Sequence, residues 1–257
     1  GAMGLTLVGL DMGLVVANDG AATRVAMQAS ADSAAIHGVQ GVGLGVDNAA
    51  LEVNLASGSA EVLDFATEGL DVISGPGQVV QMDLAGNKGQ FLGAAAEVAL
   101  QLGDQVSLAG NVAFEKASAD VTLADASTQT VDVISLGGSG LQGFVGTGSV
   151  EAGDARGFGV SDVSVALGLY SARAGSTNAN VDSLDGAQWQ ALTATAGTVT
   201  AHGLPDIDLS INSLSFQANQ VTGLAAGLSD NAHVIDFAAA PQDLRVSATT
   251  YETATLC

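Results

Sequence analysis

Apolar positions in this chain alternate with polar or small ones. Val98, Leu100 and Leu102 follow a period of two, as do Val106, Leu108, Gly110, Val112 and Phe114, then Val121 with Leu123 and Val131 with Val133. Such runs, four to six residues long and broken by Gly, Asn, Asp and Ser, predict some two dozen short β-strands. One stretch, Gln90 to Leu102, also fits a 3.6-residue period through Phe91, Ala95, Val98 and Leu102. Strand is preferred for its second half, because the alternation runs on into the next segment. The three prolines, Pro76, Pro205 and Pro241, sit beside polar or Gly turns, where connections are expected. The chain reads as all-β, with a solenoid, a sandwich and a barrel open as layouts.

A repeat favours the solenoid. Trp189 to Asn219 matches Arg24 to Asn54 without a gap at an offset of 165, pairing Ala26 with Ala191, His37 with His202, Gly38 with Gly203 and Asn54 with Asn219. The rows Val42/Ile207, Leu44/Leu209 and Val46/Ile211 are expected to face inward. Leu5 to Ala17 resembles Asp162 to Ala172 at an offset of 155, with Gly13 over Gly168. Val62-Leu63-Asp64-Phe65-Ala66 returns as Val234-Ile235-Asp236-Phe237-Ala238 at 172, and Val72 aligns with Val246. A motif that returns in frame marks an array of stacked units. The expected organisation is a cleavage scar over residues 1–3, one unit over 4–158, and a partial second unit over 159–257 continuous with the first. Both ends read as cut. The expected architecture is an elongated β-solenoid-like array, with tandem β-sandwiches as the alternative.

Composition narrows the partners. With 47% apolar residues in 257, the chain can bury a sizeable core, while 34 Gly and 4% aromatics suit closely stacked β layers. Six Lys plus Arg against 27 Asp plus Glu give a formal charge of −21, which repels nucleic acid and anionic membranes and attracts cations. No apolar run reaches the ~20 residues of a helical membrane span. The single Cys is Cys257, so no disulfide forms within the chain.

Candidate chemistry is sparse. Gly138-Ser139-Gly140-Leu141-Gln142-Gly143 fits a dinucleotide pattern, but the residues after it cannot start the helix that a pyrophosphate needs, so a tight turn between strands is expected. His37 and His202 lack ligand partners at matching positions and are read as turn or packing residues. Asp206 and Asp208 would share one strand face with Ser210 and Asn212, a row of oxygens that suits Ca²⁺ or simply faces solvent. Copy one has Gly41 and Gly43 in their place, which favours the solvated face. Asp64 and Asp236 recur within V-[LI]-D-F-A and either hold a turn, the preferred role, or help bind a cation. Glu151 with Asp154, Asp182 with Asp185, and Asp230 are acidic loop clusters that would attract Ca²⁺. No nucleophile motif places Ser, His and Asp for hydrolysis, and no enzyme activity is expected.

The segments GNVAFEK (110–116), VTLAD (121–125), GLQGFVGTG (140–148), GFGVSDVSVALGL (157–169), WQALTATAG and VIDFA resemble repeat units of giant bacterial secreted surface or adhesin-like proteins. Those chains are acidic, Cys-poor, calcium-associated and exported by type I systems. The resemblance implies an extracellular structural or adhesive array at the bacterial cell surface, a stalk or fibre stiffened by Ca²⁺. Its partners would be neighbouring repeats of the same chain, then surface glycans or other surface proteins. In that family a longer Asp-rich loop follows FVGTG, where this chain has the short SVEAGDARG. The alternative function is a carbohydrate- or ligand-binding module, for which one Trp and two Tyr are a poor supply of aromatic platforms.

Overall fold

The computed structural model describes residues 3–58, 60–150, 152–173, 184–205 and 207–254. In chain order its strands are β1 (Gly4–Val8), β2 (Asp11–Asn18), β3 (Thr23–His37), β4 (Val42–Ala56), β5 (Leu70–Gly75), β6 (Gln78–Met82) and β7 (Phe91–Leu102). There follow β8 (Val106–Thr122), β9 (Thr128–Thr147), β10 (Arg156–Ala172), β11 (Gln188–His202), β12 (Ser210–Thr222), β13 (Gln242–Arg245) and β14 (Tyr251–Ala254). A 3₁₀ turn spans Gly86–Lys88 and a single helical turn, α1, spans Asp230–His233.

The all-β class read from the alternation is what the structure has. Ten strands form one antiparallel sheet in the order β1-β3-β4-β7-β8-β9-β10-β11-β12, with β2 beside β1 on the same side of β3. Its first and last strands do not pair with each other, so the sheet is open and not a barrel. Two hairpins, β5–β6 and β13–β14, lie against it.

The strands are longer and fewer than the pattern predicts: β9 runs 20 residues, and β8 and β10 run 17 each. Residues that read as breaks are absorbed as bulges inside strands. Between β8 and β9 the register shifts where Gly140 takes φ 58°, so the glycine cluster 138–143 lies within β9 rather than forming a turn. Gln90–Leu102 is strand from Phe91 onward, with no helix. Phe91, Gly93 and Ala95 on one face of β7 are buried, while Leu92, Ala94 and Ala96 on the other are only partly so. Burial, not a helical period, accounts for its apolar content.

The two hairpins cover that same face. Beneath β5–β6 lie Ala26, Met82 and Leu84, with Leu63 and Phe65 packed on them. Beneath β13–β14 the core is larger, with Trp189, Phe237, Ile235, Val131 and Leu244 all at 2% exposure or less. Each such side chain contributes about 1.5–3 kcal/mol by leaving water. Glycine permits the close approach: a Cβ on Gly137 would stand 2.1 Å from the Arg245 carbonyl oxygen. The opposite face of the sheet keeps Leu108, Ile134, Leu136 and Phe216 at 36–57% exposure. The rows expected to face inward are not buried either: Leu44 and Val46 are half-buried, and the others are exposed. Val42, Ile207, Leu209 and Ile211 are 37–52% exposed. Val42 and Leu44 pair with Leu102 and Leu100 of β7, on the face opposite Phe91, Gly93 and Ala95 that the hairpins cover.

Strand pairing shows the repeat in three dimensions and corrects its alignment. Gly4 pairs with His37 as Gly157 pairs with His202, and Val15 pairs with Ala26 as Gly168 pairs with Ala191. The interrupted strand β1–β2 is therefore the counterpart of β10 at an offset of 153, two residues from the 155 suggested by sequence. Leu70 pairs with Met82 as Gln242 pairs with Ala254, which sets the hairpins at 172 and places Leu244, not Val246, over Val72. A slip of two keeps every side chain on its face, so alternation cannot detect it.

Candidate functional site

The matched positions reuse the same side-chain clamps. Asn54 Nδ2 donates to the Leu63 carbonyl at 2.6 Å, and Asn219 Nδ2 donates to the Ile235 carbonyl at 2.8 Å. Arg24 Nε donates to the Glu61 carbonyl at 2.8 Å, and at the matching place the Trp189 indole donates to the His233 carbonyl at 2.6 Å. In each copy a polar N–H on the sheet thus holds the V-[LI]-D-F-A segment across the sheet face. The Asn pair was visible as an identity in the alignment. The Arg/Trp pair was not, since only the donor is shared.

Bulges and turns repeat as well. Asn48 (φ 51°) in β4 and Ser213 (φ 62°) in β12 are counterparts, and both adopt a left-handed backbone rare outside glycine. Gly9 (φ 63°) and Asp162 (φ 52°) are counterparts at the break in the first strand. A Cβ on Gly9 would strike Asp32, and one on Gly197, the counterpart of Asp32, would lie 2.8 Å from Asp162 Cβ. The two copies have exchanged glycine and aspartate across the strand pair, keeping one of each. His37 and His202 each end a strand before a positive-φ glycine, Gly38 and Gly203. Both are the last paired residues of their strands, at the start of a turn, and His202 also packs on Phe144, in keeping with the turn or packing role read from sequence.

The carboxylates singled out as cation ligands lie apart. Asp64 Oδ1 accepts the N–H groups of Ala66 and Gly86, both at 3.1 Å, and these bonds hold its carboxyl below the usual carboxylate range. Asp236 Oδ1 accepts from Ala238 and Ala239 at 3.0 and 2.9 Å. Both aspartates therefore hold turns. Asp154 Oδ1 accepts the Ser149 N–H at 2.8 Å, closing the loop between β9 and β10. Asp208 is exposed in a connection before β12, so the expected strand-face row with Ser210 is not formed there. Asp206, Glu151 and Asp182 lie outside the described residues. Among the described residues no three His, Cys, Asp or Glu come together as a metal-holding group.

Among the described residues, hollows accompany the sheet. At the end free of hairpins, strands β3 to β11 curl around a trough of about 1010 Å³, lined among others by Leu44, Leu100, Phe144, Val160, Thr200 and His202. Wide, strongly twisted sheets curl in this way. Phe144 meets the His202 ring edge-on at 6.1 Å, and Gly159 leaves the space that His202 fills. A second hollow, about 620 Å³, lies beside β12 and is lined by Asn219, Val221, Val234, Ile235 and Asp236 with α1.

Arg245 ties the second hairpin to the first copy's strands. Its guanidinium is buried, paired with Glu52 of β4 at 2.6 Å and donating to the Ser247 and Ala248 carbonyls. No protein-family model, curated protein or solved structure matches the chain. No helix of the described residues is long and apolar enough to cross a membrane.

Proposed function

We propose that this chain is a structural repeat segment of a giant extracellular bacterial surface protein or adhesin, a stalk or fibre with a mechanical rather than a chemical role. The observation that supports it is the twofold use of one design: strand pairs, bulges, asparagine clamps and hairpins that correspond at offsets of 153, 165 and 172. In this reading each unit supplies the same set of strands to an elongated, solenoid-like array, and neighbouring repeats are its main partners. The Glu52–Arg245 ion pair supports a rigid joint, since it links the two copies directly. Scattering from chains of increasing unit number tests it. A rod whose length grows linearly with units is expected, and beads moving independently on linkers would refute the array.

The net charge of −21 supports Ca²⁺ as a stiffening ion, because self-repulsion is relieved by divalent cations. Melting curves in Ca²⁺ and in EDTA are expected to differ, and superimposable curves would remove the ion from the proposal. The trough supports a second reading, a module for a surface glycan or other ligand, through its size and its mixed lining of Phe144, Thr200 and His202. Saturable glycan binding that disappears in Phe144→Ala, with the melting temperature kept, would favour it over the stalk.

A further inference from the structure

The free edge of β12 carries a preformed register. Its counterpart in the first copy, β4, is an inner strand: it pairs with β3 on one side and with β7 on the other. That second pairing uses a bulge, since the register shifts between Asp47 and Ala50 around Asn48. β12 pairs with β11 as β4 pairs with β3, and its Ser213 repeats the bulge at the same place. Yet no described strand lies along its other side. Leu214 and Phe216 stand 51% and 57% exposed there.

The hollow beside β12 matches a seat that is filled in the first copy. There Asn54 pairs with Phe91, whose ring is 3% exposed, and Asp64 accepts the Gly86 N–H from the turn leading into β7. In the second copy the corresponding residues, Asn219 and Asp236, line the open 620 Å³. Bulge, seat and exposed edge thus coincide.

We infer that β12 is an acceptor edge for an extended strand of the β7 type, supplied by a further stretch of the array. The incoming strand begins with an aromatic residue opposite Asn219, then presents small residues to the hairpin face and apolar ones to the other. The register of the first copy fixes the rest: the position of Ala95 meets Ser215, that of Ala94 meets Phe216, and that of Glu97 meets Asn212. Pairing of this kind gives affinity through backbone hydrogen bonds and selectivity through alternate side chains. An edge bulge can also repel strands. Here the matching bulge in β4 sits inside a formed pair, which argues for docking. The inference rests on the array reading, because it takes its occupant from the array.

The test is a fluorescent synthetic peptide of residues 84–102 titrated into the full chain. Saturable one-to-one binding is expected, weakened at least about tenfold by Phe216→Lys and lost when the peptide carries Ala95→Pro. Circular dichroism checks that Phe216→Lys remains folded, and the peptide variant needs no folding of its own. Absence of binding, equal binding of a scrambled peptide, or indifference to both substitutions overturns the acceptor edge. The array reading fails separately: peptide binding alongside independently moving units would sink the array and uphold the edge, and a rigid rod whose edge ignores the peptide would do the reverse.

Discussion

Replacing the clamp asparagines by aspartate isolates what their N–H groups do. Asn54 and Asn219 are matched in the two copies, Asn54 is fully buried, and the Oδ1 of each has no partner among the described residues. The contribution of each therefore comes from the single N–H that holds Leu63 or Ile235. Asn219→Ala leaves that buried carbonyl without its donor, a cost of about 1–3 kcal/mol. Asn219→Asp is nearly isosteric but turns a carboxylate toward the carbonyl, and an uncompensated buried charge costs about 3–5 kcal/mol.

The aspartate penalty depends on pH. Burial without a positive partner raises the folded-state pKa of the introduced carboxyl above the unfolded value of about 3.9. A penalty of about 3 kcal/mol corresponds to roughly two pKa units at 1.36 kcal/mol each, so the folded value lies near 6. The unfolded state then binds fewer protons between about pH 4 and pH 6, and stability relative to wild type falls as pH rises through that window. Below it the protonated carboxyl donates to Ile235 and the clamp is restored. Urea unfolding followed through Trp189, the only tryptophan and fully buried beside the clamp, reads the effect. With a slope of at most about 3 kcal/mol/M, Asn219→Ala moves the midpoint by about 0.3–1 M. If Asn219→Asp and Asn219→Ala lose equal stability at every pH, the donated hydrogen bond is not what holds the segment. Asn54→Asp should repeat the pattern in the first copy.

Three further outcomes follow from the geometry. Arg245→Met is expected to cost about 2 kcal/mol, below the full cost of breaking a buried pair because Glu52 keeps 27% exposure, and calorimetry should show the two copies melting less cooperatively. Asp162→Gly should raise stability by several tenths of a kcal/mol, since a non-glycine residue there holds φ 52°, whereas Gly197→Asp alone should destabilise by crowding Asp162. Combining both substitutions reproduces the Gly9/Asp32 arrangement and should recover most of the loss in denaturant midpoint. Burial disfavours the charge of Lys88, but the Tyr251 hydroxyl at 3.0 Å and Glu115 outweigh it and leave the amine above its ordinary 10.5. A raised amine stabilises the fold fully below its unfolded pKa and loses that contribution as pH rises through the folded one. Melting temperature should therefore fall more steeply with pH above 10.5 in wild type than in Lys88→Met.

The all-β class, the His-Gly strand ends and the Asp64 and Asp236 turns were legible in the sequence, because each rests on alternation or on bonds spanning a few residues. Arg24 and Trp189 share a position but not a residue type, and their common role is not legible in sequence, since what they share is a donated N–H reaching a carbonyl some forty residues away. Strand lengths were misread for a related reason: Gly140, Asn48 and Asp162 look like breaks, and only a paired neighbouring strand shows that each is a bulge carried inside a continuous one. Alternation also cannot distinguish an offset of 153 from 155, or 172 from 174, because both place the same residues on the same face. Pairing partners decided those offsets. Tertiary structure likewise decided which apolar rows are covered: the alternation marks the row of Val42 and Leu44 as inward, but only strand pairing shows that it lies on the face opposite the hairpins, while Trp189 lies beneath one of them.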